Sequence, residues 1–529
     1  MIAKPTYHSH EDYQNRVRKL EDIRELGVEP YPYKFSPSHS AQGVHAEYEQ
    51  NSIGGYDAAV DGATPSVTVA GRLVLFRAMG KNAFAHLQDQ TGRIQVMFNR
   101  DATIVEGYSP DNSFTTPPLS HLKFVEKKLD LGDLIGVEGH LFVTQKGELT
   151  IFVKKLTLLC KTLLPLAEKH SGLTDKELCY RKRWLDLISN CEVCEKFRMR
   201  SKILHFIRNF FEKQGFLEVE TPVLQSTYGG AEAQPFTTTL NVLDQDMYLR
   251  IALEIPLKKL LVGGMERIFE IGKVFRNEGI DRDHNPEFTL LEAYAAFWDY
   301  NDMMALTENL FEELALELFG TTKISYPLAD CSDIVEIDVK APWKRMTMKE
   351  SIKAYAHIDV DALSDDELRH LLEKESRGDP LVLNKLSRGL LIAELFKAKV
   401  EDHLIEPHHI IDHPVETTPL CKPHRNPKKR DEGLVERFES FVLRKEICNC
   451  YSELNDPEMQ RILLEEQAKK RESGDGEAHP LDEEFIEAIC QGMPPSSGIG
   501  FGVDRIVMIF TGAISIRDVL YFPWMKPLD

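Results

Sequence analysis

No run of eighteen or so apolar residues occurs in the 529-residue chain, so no membrane-spanning helix is expected. The opening residues, MIAKPTYHSHEDYQ, lack the apolar core of a secretory leader, which leads to the expectation of a cytoplasmic protein. Cysteine is scarce. Nine in so long a chain do not make a disulfide framework, and the odd count leaves at least one unpaired. Cys191 and Cys194 form a lone CxxC with no second pair at zinc-ribbon spacing, so they read as small half-buried thiols rather than a metal site. His408, His409 and His413, in HHIIDHP, do not have the spacing of a helical ligand pair and read as structural. A basic excess is also missing: the formal net charge is −20, so any nucleic-acid surface must be local.

What is present is an ordinary globular composition, 42% hydrophobic and 28% charged, in a chain long enough for two or three domains. Lysine and arginine gather between Val67 and Lys161, including Arg72, Arg77, Lys81, Arg93, Lys127, Lys128, Lys154, Lys155 and Lys161, whereas acidic residues accumulate from Glu453 to Glu487. Tyr13, Val17, Leu20, Ile23 and Leu26 fall at helical spacing, predicting an amphipathic helix over about 9–26 that Gly27, Pro30 and Pro32 stop. Residues 33–65, rich in Ser, Gly, Pro and Asn, read as a loop or linker. Five alternating runs follow (VTVAGRLVLFRAM, AFAHLQD, RIQVMFN, DLIGVEGHLFVT, ELTIFVKKLTLL), which suggests a small OB-type barrel able to stack bases on aromatics.

The densest chemistry lies in GKVFRNEGIDRDHNPEFTLLEAY, residues 272–294. An apolar strand breaks into a polar loop at Arg276 and resumes at Phe288, predicting two antiparallel strands. The loop carries Arg276, Glu278, Asp281, Arg282, Asp283 and His284, far more charge than a turn requires. An arginine at a strand end can hold a carboxylate and a phosphate together, and Phe288 can stack on a base. Earlier, FRMRSKILHFIRNFFEKQ predicts a helix over Phe197–Gln214, ended by Gly215 and followed by the strand FLEVETPVL. Near the C-terminus GIGFGVDRIVMIFTG places alternating glycines on a strand before a helix containing Arg505, without the spacing of a dinucleotide site.

In this order the three segments resemble motifs 1, 2 and 3 of the class II aminoacyl-tRNA synthetases. Together with FRNEGI, HNPEFT, SELNDP and GIGFGVDR, residues from about 65 to 527 are similar to the bacterial-type lysyl-tRNA synthetases of subclass IIb. The expected fold is α+β: an N-terminal extension and linker (1–64), an OB-type anticodon-binding barrel (65–164), a hinge (165–180), and a class II catalytic domain (181–529) with an irregular insertion at about 321–404. Glu254, Glu292 and Glu453 give the predicted pocket an acidic character, and buried carboxylates need a cation, which points to a cationic substrate.

The resemblance implies lysine, ATP and tRNA(Lys) as substrates, with Mg2+ as the metal, and a homodimer through motif 1. It assigns the α-amino group of lysine to Glu254 and Gly230, its carboxylate to Arg276 and Asn449, and its ε-ammonium to Glu292, Tyr294 and Glu453, with Tyr451 in the same pocket. ATP falls to Arg276, Glu278, His284, Phe288, Glu439, Glu446 and Arg505. Arg276 and Arg505 are the catalytic arginines, and Glu439 and Glu446, seven apart, are the metal ligands, expected to face each other across a short hairpin. Arg77, Phe84, Gln95 and Glu148 resemble the anticodon-reading set.

The sequence departs from the family at Cys448 and Cys450, which predict a bulkier pocket floor, at Leu443 and Arg444 in the hairpin turn, and at Tyr451 and Pro256. A lysine ligase acting on protein would lack the barrel. An aspartyl- or asparaginyl-type enzyme would share the barrel and the three motifs, but the acidic pocket argues against it, and a non-catalytic relic would be favoured by loss of Arg276, Arg505 or the acidic pair, all of which are present.

Overall fold

The computed structural model describes residues 5–48, 53–112, 118–166, 173–328, 334–375, 383–472 and 479–527. The side chain of Cys191, half of the CxxC pair, lies outside this description. The chain divides into two compact units, Met1–Gly172 and Leu173–Asp529.

In the first unit helix α1 (Glu11–Glu25) buries Leu20 and Ile23, and Ile23 joins the barrel's apolar core. Arg16 of α1 is buried too, and it donates to Thr162 Oγ1 at 2.7 Å and to the Leu131 carbonyl at 3.1 Å. The stretch read as a loop over 33–65 instead contains helices Ala41–Tyr48 and Tyr56–Val60. Their apolar residues Ala41, Val44 and Ala59 are too few to set a period, yet all three are fully buried.

The barrel strands are β1 (Ser66–Met79), β2 (Asn82–Gln88), β3 (Arg93–Asn99), β4 (Leu134–Val143) and β5 (Leu149–Cys160). Strand β1 pairs with β2 and β4, and β3 runs parallel to β5, so the sheet closes. A bulge between Leu73 and Leu75 lets the long β1 serve both neighbours. Lys161, grouped with the basic surface on sequence, is wholly buried between Asp130 and Asp133 and belongs to the frame of the barrel.

In the second unit α2 (Cys191–Lys213) begins six residues before the apolar stripe that announced it. The predicted strand FLEVETPVL shrinks to β6 (Leu217–Glu218) and a two-residue strand at Leu224–Gln225. Pro222 has no amide to donate, and the Thr221 amide is satisfied by the Glu270 carboxylate at 3.0 Å rather than by a strand. Helix α3 (Glu254–Val262) follows, with Pro256 in its first turn, where an amide has no intrahelical partner in any case.

The remaining strands are β7 (Arg267–Phe275), β8 (Glu287–Ala296), β9 (Lys344–Thr347), β10 (His408–Pro414), β11 (Leu434–Val442), β12 (Lys445–Ser452) and β13 (Ser496–Gly502). Among the described residues they form one eight-stranded sheet with β6, in the order β9-β10-β11-β12-β13-β8-β7-β6. Helices α2, α4 (Tyr300–Phe319) and α6 (Val503–Thr511) contribute to the apolar core that includes β12 and β13, with α5 (Arg388–Lys399) lying in the segment between.

The insertion expected to be irregular is ordered in its described parts. It supplies β9 to the main sheet and packs three helices, Met348–Ala356, Asp365–Lys374 and α5, around their own apolar cluster. His409 of β10 is buried between Ser440 at 2.7 Å and Glu308 at 3.2 Å, a structural histidine. No helix among the described residues is long and apolar enough to cross a membrane.

Candidate active site

Strands β7 and β8 pair in antiparallel register, Val274 opposite Phe288 and Glu270 opposite Glu292, so the loop between them emerges at one end of the sheet. The Arg276 amide donates to the Pro286 carbonyl at 2.9 Å and closes the loop base. At the tip Asp281 accepts from the amides of Asp283 and His284 and holds the His284 ring at 2.9 Å. Arg276 places its guanidinium 5.2 Å from the centre of the Phe288 ring, on the wall of a cleft of about 470 Å³.

Two cross-strand rows form the floor of that cleft. Tyr294, Gly498 and Tyr451 lie in register across β8, β13 and β12, and Glu292, Gly500 and Asn449 form the row beside them, continued by Glu439 on β11. A glycine at the middle of each row leaves a trough between the flanking side chains. A Cβ at residue 498 would sit 2.2 Å from Tyr294 Cε1 and 2.4 Å from Glu453 Oε1, so this position is closed to any larger residue without displacement. Gly230 meets the same trough at φ +85, and a Cβ there would lie 2.8 Å from Glu254 Cβ.

The acidic end is more crowded than the sequence suggested. Glu254 accepts from the Tyr451 hydroxyl at 2.6 Å, and Glu292 accepts from the Leu253 amide at 2.8 Å and the Tyr294 hydroxyl at 3.0 Å. Lys258, one turn along α3, lies against Glu254 and 2.5 Å from Glu453 Oε2. One cation is therefore already supplied by the chain, which corrects the view that the carboxylates wait entirely on a ligand. Three acids against one ammonium remain out of balance. Burial pushes Glu292 and Glu453 up to about 8, for Glu292 with the Glu254 charge acting in the same direction, and for Glu453 against the pull of Lys258.

At the other end Arg505, in the first turn of α6, donates to the Glu446 carbonyl at 2.7 Å and lies 3.5 Å from its carboxylate. Glu439 and Glu446 both line the cleft but do not face each other. Glu439 aligns with Asn449 and Glu446 with Phe441, because a bulge between Ser440 and Phe441 shifts the register. Burial and the neighbouring Glu439 charge raise Glu446, while Arg505, Arg437 and Arg276 pull it down.

A model of the tRNA synthetases class II (D, K and N) matches residues 175–526, and one of the OB-fold nucleic acid binding domain matches 67–159. The lysine–tRNA ligase of Chlamydia pneumoniae is 56% identical over all of this chain and 99% of its own length. The chain belongs to the class II tRNA synthetases, in the lysine–tRNA ligase family. Family members from Fervidobacterium nodosum, 42% identical over 97% of this chain and 93% of their own, and from Listeria innocua, 42% over 98% and 99%, are similar along their whole length.

Against this family background, the residues expected from motif resemblance come together: Gly230, Glu254, Glu278, His284, Phe288, Glu292, Tyr294, Glu439, Glu446, Asn449, Tyr451 and both arginines line the cleft. Glu453 lies under its floor beside Gly498. Arg282 is not part of the wall. Sequence reasoning missed Arg437, whose guanidinium joins Asn449 at 2.9 Å to Glu439 at 2.7 Å. Its two-residue spacing from Glu439 on a strand was the signal. It also missed Lys397 and Glu401, which the insertion brings to the rim.

The synthetase's departures from family pattern are absorbed locally. Cys448 and Cys450 point away from Asn449 into the core, so they do not thicken the pocket floor. Leu443 and Arg444 both take left-handed backbone, φ 55 and 65, the conformation for which glycine is suited. Their amides are held by the carbonyls of Ile405 and Leu404 at 2.9 and 2.8 Å.

In the barrel Arg77 is the cross-strand partner of Phe84, and Gln95 that of His86. By strand alternation Arg77, Phe84, His86 and Gln95 share a face, and His86 meets Glu148 at 3.0 Å while Gln95 donates to Thr150 at 2.8 Å. The four expected residues are thus gathered, and His86 is an addition to them.

Proposed function

We infer that this protein activates L-lysine with ATP and transfers the lysyl group to tRNA(Lys). The observation that carries the choice of amino acid is at the blind end of the trough. Of the six oxygens on Glu254, Glu292 and Glu453, four have hydrogen-bond partners within the chain, Glu453 Oε2 has the Lys258 ammonium as its ion partner, and Glu453 Oε1, facing Gly498 and Tyr294, has neither. A buried carboxylate oxygen without a donor is costly, and a substrate ammonium satisfies it. Family membership supports the same reading, since the similar proteins are lysine–tRNA ligases.

The α-amino group falls to Glu254 and the Gly230 carbonyl, the carboxylate to Arg276 and Asn449, and the ε-ammonium to Glu453 and Tyr294, with Glu292 fixing the Tyr294 hydroxyl. The substrate carboxylate is already an anion at neutral pH, so its attack on the α-phosphate needs no general base. Arg276 aligns both groups and offsets the charge that develops between them, with Arg505 on the far side. Phe288 stacks on the adenine, and Glu278 and His284 hold the rest of the nucleotide.

Among the described residues no group of three or more acidic, histidine or cysteine side chains is arranged to enclose a metal. Two carboxylates, Glu439 and Glu446, suit Mg2+, which keeps several waters and shares phosphate oxygens. When bound, Mg2+ would neutralise phosphate charge. Lysyl-adenylate and pyrophosphate result, and the terminal ribose hydroxyl of tRNA then takes the lysyl group as AMP leaves. We assign 65–164 to anticodon reading, 181–529 to catalysis, 1–64 to an extension and 165–180 to a hinge, in a cytoplasmic enzyme of translation.

Pyrophosphate exchange measured with each of the twenty amino acids tests the reading: exchange with lysine alone is expected, and a preference for any other amino acid would overturn it. Gly498→Ala, which crowds Tyr294 and Glu453, is expected to raise the lysine KM roughly ten- to a hundredfold, the scale of overpacking. ATP affinity should hold, and an equal loss of both would instead mean a damaged sheet. Phe84→Ala should leave lysyl-adenylate formation intact and weaken tRNA charging by about 1–3 kcal/mol of lost stacking. Equal loss in exchange and in charging would remove Phe84 from the anticodon face. Leu217, Val223 and Leu224 are exposed apolar residues of the motif 1 region and support a homodimer through it. Sedimentation at twice the 60.4 kDa chain mass is the check.

A further inference from the structure

Adenylate formation as derived above makes no use of Lys258, yet this lysine is buried beside two of the carboxylates assigned to the substrate. Its side chain is 0% exposed, and its ammonium joins Glu254 Oε1 to Glu453 Oε2. Taking an ammonium out of water is expensive unless its partners are well placed, so a lysine in this position has to act on the groups it touches.

Its partners are the two carboxylates on which substrate recognition depends. Lys258 occupies one oxygen of each, and the Tyr451 hydroxyl occupies the other oxygen of Glu254. That leaves Glu453 with one anchored oxygen and one open oxygen. We propose that Lys258 is a resident counter-cation: it anchors Oε2, fixes the orientation of Glu453 and opposes protonation of that carboxylate, so that Oε1 receives the ammonium of the incoming amino acid. This rests on lysine being the substrate, and it makes Lys258 a positioning residue for specificity.

The surroundings of Glu453 leave no other source of positive charge among the described residues that face it. Glu254 comes from α3, Glu292 and Tyr294 from β8, Tyr451 and Cys450 from the end of β12 that leads into it, and Cys421 from the segment bridged to it. His479, near Lys258, is pushed down to about 4 by burial and is neutral. Every one of these groups is neutral or acidic. Without the ammonium, burial and the two neighbouring glutamates act unopposed, and protonation of Glu453 is favoured further than it is with Lys258 in place.

Two effects of deleting Lys258 oppose each other, and distance decides between them. A cation on each side of one carboxylate is attracted over about 3 Å and repelled by the other cation over about twice that, so the row of three charges is favourable. Losing the ammonium therefore costs more through protonation of Glu453 than it gains by removing repulsion.

The test compares Lys258→Met, Lys258→Gln and Lys258→Arg with the unaltered protein, measuring Kd for lysine and for ATP by calorimetry from pH 6.5 to 9. Gln retains amide donors for both carboxylates, which preserves the fold if Met does not, and an unchanged ATP Kd reports an intact cleft. In Met and Gln the acid limb of lysine binding is expected to move up by about one pH unit, which is about tenfold in Kd at pH 7, and to close again toward pH 9. Arg, which restores the charge, should keep the midpoint of the unaltered protein. A merely structural role would weaken binding equally at every pH, and that result, or lysine binding as tight as in the unaltered protein at pH 7, would overturn the proposal. Failure of the unaltered protein to support lysine-dependent pyrophosphate exchange would overturn the substrate assignment beneath it as well.

Discussion

Arg276→Ala is expected to slow lysyl-adenylate formation by about two to three powers of ten, the scale for removing one preorganised charge stabiliser. The residue stands at the end of β7, where the pairing of its amide with Pro286 fixes the backbone and its side chain lies between the Phe288 ring and the Ile251 carbonyl, 3.3 Å away. Its charge is surrounded by Glu278, Glu292 and Glu446, which favour the charged form against burial. An alanine leaves the amino acid and nucleotide subsites in place but takes away the group that meets both. The loss should therefore fall mainly on kcat, because the charge it offsets is greatest at the transition state. Single-turnover formation of the adenylate is the direct measurement. A rate within a few-fold of the unaltered protein would remove Arg276 from its assigned role.

Glu453→Gln should act on the other kinetic parameter. The substitution keeps shape and removes charge, so the ε-ammonium loses its ion partner at the blind end of the trough. Loss of one partner from a buried charge pair costs about 2–5 kcal/mol, and KM for lysine is expected to rise by about two to three powers of ten. The contact is far along the substrate from the reacting carboxylate and is made equally in ground and transition states, so kcat should change much less. Exchange kinetics at varied lysine, with ATP saturating, separate the two. A KM within threefold of normal would show that the ammonium is held elsewhere.

The strands that build the cleft were legible because alternation and turn residues mark them without help from distant parts of the chain. The β7–β8 hairpin and the glycine strand β13 emerged where their patterns placed them. Elements that depend on tertiary partners did not. Helices Ala41–Tyr48 and Tyr56–Val60 are too short to display a period, and their few apolar residues acquire meaning only against the barrel. In FLEVETPVL the β-forming residues were read as a strand, but Pro222 and the Glu270 carboxylate take its backbone out of the ladder. Lys258 illustrates the limit for the site. In LKKLLV it has the look of a solvated helix position, and nothing local tells it from Lys259, which pairs with Glu484 and is partly exposed. Only the arrival of Glu453, just past the end of β12 and nearly two hundred residues later, gives the buried Lys258 its second partner. The diagonal placement of Glu439 and Glu446 likewise follows from a bulge that no spacing announces.

The turn between β11 and β12 bears on how far this enzyme could be miniaturised. Two non-glycine residues in left-handed backbone, Leu443 and Arg444, each carry a steric cost of roughly 1–2 kcal/mol. The carbonyls that hold the turn, Leu404 and Ile405, close the inserted segment. That segment therefore acts as a splint for the strands bearing Glu439, Glu446 and Asn449, and splicing out residues 348–404 would free the tip to relax away from its catalytic shape. A shortened enzyme would need glycine at 443 and 444, so that the tip could hold its shape unaided.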